Sequence, residues 1–128
     1  MAPDNHPLKT QAVQLQSLIS CAEFTGGREQ SIPYADGFQS SLELLKEARE
    51  RKAGVFLVGN GGSAAVVSHI FNDFINVARL RAFTLHESSL ATCMANDYGY
   101  ENVYSRSLAT LAQANDLLIA VSSSGKSR

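Results

Sequence analysis

The segment that most constrains the fold of this chain is "VFLVGNGGSA", residues 55–64. Its apolar half, from Val55 to Val58, predicts a buried β-strand because a β-branched residue stands at each end. The strand stops abruptly in a glycine-rich turn, and glycine lets the backbone turn tightly and lets a ligand approach it closely. The pattern that follows predicts a helix over 62–77. A strand, a glycine turn and a helix N-terminus in this order form a geometry that binds phosphate.

The rest of the chain predicts a parallel α/β sheet. Two helices come first, and strands and helices then alternate, which is the order typical of this fold class. Parallel strands need helices on both faces, and a crossover helix leads to another strand. We therefore expect three layers, with a sheet that continues beyond Arg128. The predicted helices are 8–24, 38–52, 62–77, 88–97 and 101–114, and the predicted strands are 55–58, 81–86 and 116–121.

Composition excludes several classes of protein. A length of 128 residues is enough for one domain with a hydrophobic core. The residues are 45% hydrophobic and 18% charged, which is typical of a globular protein. A net charge of -1 provides no basic surface for nucleic acid or an acidic membrane. The sequence has no apolar run of bilayer length and no signal-peptide pattern, so we predict a cytoplasmic protein without a membrane partner. Cys21 and Cys93 have neither metal-site spacing nor a disulfide pattern.

The glycine turn admits more than one interpretation. Gly59, Gly61 and Ala64 satisfy the loose dinucleotide-binding pattern, whose acidic residue is expected about 20 residues further on. Glu87 is the available candidate, and it comes later than that. The pattern also leaves unexplained a polar Asn60 beside the glycines and Ser63 after them, where a ligand hydroxyl or phosphate would lie. The alternative is a plain tight turn in which the serine caps the helix.

A second polar segment, "SSSGKS", follows the predicted strand 116–121. Hydroxyl groups and backbone N–H groups at a helix start are suited to an anion. The segment resembles the end of a nucleotide-binding P-loop, but the leading glycine of that motif would fall on Ala120. A nucleotide site is therefore not expected here. The alternative is a serine-rich turn without a ligand.

Two further polar features are candidates for chemistry. His69 and Asp73 lie four residues apart and so share one face of the third helix, where they could transfer a proton, bind a metal or be purely structural. The segment "ANDYGYENVYSR" predicts a polar, aromatic loop. Its Asp97 could cap the next helix or face a sugar, and the alternative is a loop that simply packs its tyrosines.

Taken together, "GNGGSA", the downstream histidine, "NDYGY" and "SSSGKS" resemble the sugar isomerase (SIS) domain, and most closely its phosphoheptose isomerase group. The resemblance covers residues 38–128. It implies an αβα three-layer SIS fold over those residues. It also implies that residues 1–37 form an N-terminal helical extension, which this group uses to assemble a homotetramer.

The resemblance also implies roles for individual residues. The sugar phosphate would be bound by Ser122, Ser123, Ser124 and Ser127, and the sugar would be contacted by Asn60, Gly61 and Ser63, with Asp97 lining the site. The family's base is a glutamate one turn after a histidine, and some members bind zinc with that pair. Here His69 matches the histidine, and Asp73 replaces the glutamate with a side chain one methylene shorter. A misplacement of about 1 Å can lower a rate roughly a hundredfold.

The function implied is aldose–ketose isomerisation of a phosphorylated sugar, without a nucleotide cofactor. The expected reaction converts sedoheptulose 7-phosphate to D-glycero-D-heptose 7-phosphate, for lipopolysaccharide synthesis, through an enediolate. One alternative is a non-catalytic SIS module of the replication-initiator-associating type, which binds a phosphosugar or a protein, and the loss of the glutamate favours it. Another is a nicotinamide-dependent oxidoreductase, which would leave the second serine segment unexplained.

Overall fold

The computed structural model describes residues 7–126, and all the helices and strands predicted above are present there with shifted ends. The chain divides into two compact units, Met1–Glu43 and Leu44–Arg128. The helices are α1 (Pro7–Ser20), α2 (Tyr34–Glu50), α3 (Gly62–Asn76), α4 (Ser88–Tyr98) and α5 (Ser105–Leu111). The strands are β1 (Phe24–Thr25), β2 (Ser31–Ile32), β3 (Gly54–Gly59), β4 (Arg81–Thr84) and β5 (Leu117–Val121).

The first unit contains a small two-stranded sheet that the sequence did not predict. β1 and β2 pair antiparallel, with Phe24 opposite Ile32. The chain reverses between them in a short 3-10 turn whose Arg28 and Glu29 have positive φ angles. The Phe24 ring packs edge-on against Tyr34, with ring centroids 5.3 Å apart. α2 begins four residues earlier than predicted and runs across the proposed boundary between 37 and 38, which remains a prediction.

The second unit is built on a parallel three-stranded sheet in the order β4-β3-β5. α3 carries the chain from β3 to β4 on one side, and α4 and α5 then carry it to β5 on the other side of β3. The direction of winding therefore reverses between β3 and β5. In open α/β sheets such a switch point, at the carboxyl ends of the strands, is where ligands bind.

β3 is the centre of the hydrophobic core, and all six of its residues are buried. Its side chains alternate between the two faces of the sheet, as strand geometry requires. Leu57 packs with Val67 of α3 on one face. Phe56 packs against Leu108 of α5 on the other face. Helices thus cover both faces of the central strand, which confirms the predicted three-layer arrangement.

The junction between β3 and α3 depends on a close approach of two backbone segments. A Cβ atom on Gly59 would lie 2.9 Å from the carbonyl carbon of Ser63, which is closer than side chains tolerate. Gly61 adopts φ +55°, a left-handed conformation that favours glycine. These two glycines therefore allow the first turn of α3 to start directly against the end of β3.

The other end of β3 is fixed by Asp116, which immediately precedes β5. Its Oδ1 accepts a hydrogen bond from Gly54 N at 2.6 Å, and its Oδ2 accepts one from Gln113 N at 2.8 Å. The bonds from Gln113 and Gly54 lower the pKa of the carboxyl group, because they stabilise its charged form. One side chain thus joins the starts of the two strands that flank the switch point.

The polar, aromatic segment 95–106 consists of the end of α4, a short 3-10 turn and the start of α5. α4 continues through Tyr98 and ends at Gly99, whose φ of +87° breaks the helix. A 3-10 turn follows, and α5 begins at Ser105 instead of near 101. At the start of α4 the Glu87 carboxylate accepts a hydrogen bond from Leu90 N at 2.9 Å. The acidic residue considered for a dinucleotide site is therefore a helix cap.

Within residues 7–126, none of the helices combines the length and the apolar character needed to cross a membrane.

We predict that Gly59→Ala lowers the free energy of unfolding by about 1–3 kcal/mol, because the added methyl group would force β3 and α3 apart. Gly62→Ala is the matched control, since a Cβ there meets nothing within 4 Å. Urea denaturation should leave the control within about 1 kcal/mol of the parent chain. Equal losses in the two variants would show that the close approach at Gly59 is not a constraint.

We also predict that Asp116→Asn destabilises the fold in a pH-dependent way. A lowered pKa in the folded state means that the carboxylate stabilises the fold above its unfolded-state pKa of about 3.9. That contribution is lost as the pH falls through the lower folded-state pKa. Urea unfolding should therefore show a deficit at pH 7 that shrinks toward pH 3. Glu23→Gln, at an exposed residue, is the control, and a deficit independent of pH would contradict the proposed role of the charge.

Candidate functional site

A cleft opens at the carboxyl ends of β3 and β5, where the winding of the sheet reverses. It consists of two adjoining cavities of about 300 and 370 Å³. We call it the switch-point cleft. Two segments form its walls: the glycine loop, residues 59–62, and the serine loop, residues 122–126. The lining residues are Val58, Gly59, Asn60, Gly62, Ser63, Val66, Tyr104, Ala120, Val121, Ser122, Ser123 and Gly125.

The glycine loop brings the N-terminus of α3 to the cleft. Ser63 N donates to Asn60 O at 3.0 Å, so helical hydrogen bonding begins within the loop itself. The first N–H groups of a helix have no carbonyl partner inside it, and they carry the positive end of the helix dipole. Gly62 and Ser63, at this end of α3, both line the cleft. This wall is therefore suited to an anion.

The serine loop has two serines that hold its shape and one that does not. Ser122 Oγ accepts from Gly125 N at 2.9 Å, and Ser124 Oγ accepts from Lys126 N at 3.2 Å. Ser123 lines both cavities, and its hydroxyl has no hydrogen-bond partner among residues 7–126. The Ser123 hydroxyl is thus entirely free for a ligand, whereas the Ser122 and Ser124 hydroxyls each have a proton left to donate.

Tyr104 is a cleft residue that the sequence analysis did not single out. Its hydroxyl donates to Gly59 O at 2.6 Å and lies 3.0 Å from Asn60 Oδ1. Partial burial raises the pKa of Tyr104, with a smaller contribution from Tyr100. No local signal in the sequence predicts this contact, because it joins residues more than forty positions apart. Tyr104 is also one of three tyrosines in the segment 98–104, and nothing in the sequence distinguishes it from the other two.

His69 and Asp73 lie on α3 but do not line the switch-point cleft. Their side chains are 82% and 55% exposed, with His69 Nε2 3.8 Å from Asp73 Oδ2. His69 follows Gly62 by seven residues, which is about 10 Å along a helix axis. The two residues predicted to transfer a proton thus lie next to each other, but they lie outside the cleft. Their catalytic role remains a prediction.

Asp97 lies in α4 and outside the cleft lining. Asn96 Nδ2 donates to its Oδ1 at 2.9 Å, and Cys93 Sγ donates to its Oδ2 at 3.4 Å. The hydrogen bond and the charge of Asp97 raise the pKa of the Cys93 thiol. Within the chain, Asp97 therefore binds its own helix neighbours, and its role at a sugar site remains a prediction.

The structure brings together four of the predicted substrate contacts, and their roles as contacts remain predictions. Asn60 and Ser63 lie on one wall of the cleft, and Ser122 and Ser123 lie on the other. Gly61 and Ser124 belong to the two loops but do not line the cavities. Ser127 lies outside the described residues.

A zinc ion would need more ligands than the described residues provide. Zinc sites in proteins use at least three protein ligands. His69 and Asp73 supply two, and residues 7–126 contain no group of three or more His, Cys, Asp or Glu placed to hold a metal ion. The described part of the chain therefore does not form a zinc site by itself.

Comparison with known proteins agrees with the fold and the motifs. Residues 31–128 match the family model described as the SIS domain. A phosphoheptose isomerase from Helicobacter pylori is 34% identical over 116 residues, covering 83% of this chain and 60% of that protein. A phosphoheptose isomerase from Clostridium acetobutylicum is 37% identical over 101 residues, covering 73% of this chain and 51% of that protein.

A solved structure gives the same result. Phosphoheptose isomerase from Neisseria gonorrhoeae superposes with a TM-score of 0.59 and 25% identity, over 94% of this chain and 63% of that one. The chain thus spans between half and two thirds of the length of these relatives. Its match to the family model covers most of its residues. The chain belongs to the SIS domain family, and the relatives it resembles there are phosphoheptose isomerases.

Proposed function

We propose that this chain supplies the phosphosugar-binding part of a phosphoheptose isomerase, which converts sedoheptulose 7-phosphate to D-glycero-D-heptose 7-phosphate. The observation that carries the proposal is the meeting of the glycine loop and the serine loop at the switch point. The relatives named above support the choice of substrate. A homotetramer, a role in lipopolysaccharide synthesis and a cytoplasmic location remain predictions.

The chemistry of the switch-point cleft favours a phosphate group. Its lining has hydroxyl groups and the N-terminus of α3, and no Asp or Glu is among the lining residues described. A carboxylate at this position would repel a dianion, whereas helix N–H groups and a serine hydroxyl attract it. We place the phosphate between Ser123 and the start of α3, with Ser122 and Ser124 holding the loop around it and Ser127 as a further contact.

The reacting carbons of this substrate lie at the opposite end of the sugar chain from the phosphate. A base must remove a proton from one carbon and return it to the neighbouring carbon, and an electrophile must stabilise the enediolate. Binding the remote phosphate fixes the substrate for that step. We propose Asp73 as the base and His69, one turn before it, as the second member of the catalytic pair, with Asn60, Gly61, Ser63 and Asp97 contacting the sugar.

A second candidate is a non-catalytic SIS module that binds a phosphosugar without converting it. The exposure of His69 and Asp73 away from the cleft favours this alternative, because a base in open water gains little from its surroundings. The shorter Asp73 in place of a glutamate favours it as well. An oxidoreductase has weaker support, since Glu87 is already used to cap α4.

The decisive experiment measures binding and turnover on the same sample of the chain. Calorimetry gives the affinity for sedoheptulose 7-phosphate, and a coupled assay, with and without added zinc, gives turnover. Asp73→Asn should abolish turnover and leave the affinity unchanged, and Asp73→Glu should retain turnover. Binding without turnover by the parent chain and by Asp73→Glu would favour the binding module. Absence of binding would contradict the proposal itself.

We predict that Ser123→Ala weakens sugar phosphate binding about 10- to 100-fold, because it removes one hydrogen bond to a charged group. Its free energy of unfolding should not change, since the hydroxyl has no partner in the described chain. Ser122→Ala should weaken binding and also lower stability by about 0.5–1.5 kcal/mol through loss of the bond to Gly125 N. Ser40→Ala, on an exposed part of α2, is the control. A loss of stability equal to the loss of binding in Ser123→Ala would contradict this assignment.

A further inference from the structure

We propose that Tyr104 is a positioning residue that fixes the orientation of the Asn60 side-chain amide, and that it thereby controls affinity for the sugar part of the ligand and not for its phosphate. The inference rests on the proposed function for the identity of the ligand. Its structural basis is separate, because it concerns contacts made in the chain without any ligand.

The ring of Tyr104 is held by the hydrophobic core. It packs against the cluster of buried residues formed by Phe56, Val58 and Leu85, on the sheet face opposite α3. Tyr104 also directly precedes α5, so its backbone is fixed by the start of that helix. A ring anchored in this way holds its hydroxyl at one position at the end of β3, which is what a positioning residue requires.

The hydroxyl contacts two acceptors but has one proton to give. The distance to Gly59 O is 2.6 Å and the distance to Asn60 Oδ1 is 3.0 Å, so the shorter contact favours donation to the Gly59 carbonyl. Asn60 turns its Oδ1 toward this hydroxyl, so the single proton is shared between the two acceptors and the amide oxygen is held toward the ring. The Asn60 NH2 group, which has no partner among residues 7–126, is then the end of the amide free to contact a ligand.

The orientation of this amide matters for recognition because its two ends have opposite character. The oxygen accepts hydrogen bonds from sugar hydroxyls, and the NH2 group donates to them. An unrestrained asparagine rotates broadly about its last torsion and loses entropy on binding. A tyrosine phenol is protonated at neutral pH, and burial raises the pKa of Tyr104 further, so the donor is present there.

Tyr104 and the serine loop both line the 300 Å³ cavity, but Tyr104 does not line the 370 Å³ cavity. The 370 Å³ cavity is bordered by Gly62, at the start of α3, and by Ser123. The phosphate, which we assign to Ser123 and the start of α3, should therefore be insensitive to the Tyr104 hydroxyl. The sugar hydroxyls that follow it in the 300 Å³ cavity should be sensitive to it.

The first test is made on the chain without ligand. Tyr104→Phe keeps the packed ring and removes only the hydroxyl. The side-chain 15N and NH2 proton signals of Asn60 should shift in Tyr104→Phe, because the amide loses the hydrogen bond that holds it. Tyr100→Phe, which removes an exposed hydroxyl four residues away, should leave them unchanged. Unaltered Asn60 signals in Tyr104→Phe would overturn the inference whatever ligand the chain binds.

The second test uses calorimetry with two probes, sedoheptulose 7-phosphate and inorganic phosphate. Tyr104→Phe should weaken binding of the sugar phosphate about 3- to 10-fold, the loss typical of one neutral hydrogen bond, and leave inorganic phosphate binding unchanged. Asn60→Ala combined with Tyr104→Phe should bind no more weakly than Asn60→Ala alone, because the two residues act through one amide. The inference would be contradicted if the losses of affinity in the two single variants multiplied in the double variant. It would also be contradicted if Tyr104→Phe weakened inorganic phosphate binding as much as sugar phosphate binding. Failure of the parent chain to bind the sugar phosphate would contradict the proposed function, and the NMR result would still decide the role of Tyr104.

Discussion

The candidate site depends on the close approach of β3 and α3 at Gly59. No side chain fits there, since a Cβ would lie 2.9 Å from the Ser63 backbone. This contact places the positive end of α3 at the carboxyl end of the central strand. The order β4-β3-β5 then places the serine loop directly beside it. We propose the phosphate site at this edge because both loops begin at the carboxyl ends of parallel strands, where ligands bind in such sheets.

The sequence was informative wherever local pattern decides structure. The apolar run before Gly59 correctly predicted β3, and the helix after it was predicted to within one residue of its end. Other features depend on contacts that are distant in sequence or on a single backbone angle. The break between α4 and α5 depends on the positive φ of Gly99, and α5 begins four residues later than predicted. The Tyr104 hydroxyl reaches the glycine loop because Tyr104 and α5 pack against the face of β3 opposite α3.

The structure separates the residues proposed to bind substrate from the pair proposed to transfer a proton, which the sequence motifs did not predict. Asn60, Ser63 and Ser123 line one cleft, whereas His69 and Asp73 form an exposed pair further along α3. A substrate that carries its phosphate and its reacting carbons at opposite ends suits such a separation. The same separation also suits a module that binds without reacting. The environment of Asp73 therefore decides between these two proposed functions. Both of them require phosphate binding.

The measurement that tests the central claim most directly is an NMR titration of the 15N-labelled chain with sedoheptulose 7-phosphate. Binding at the switch point predicts saturable shifts in the backbone amides of residues 60–63 and 122–125, the two loops that meet there. Inorganic phosphate should shift the amides near the start of α3 and Ser123 in the same direction. Shifts confined to other parts of the chain, or none at millimolar ligand, would contradict the assignment of this cleft as the phosphosugar site.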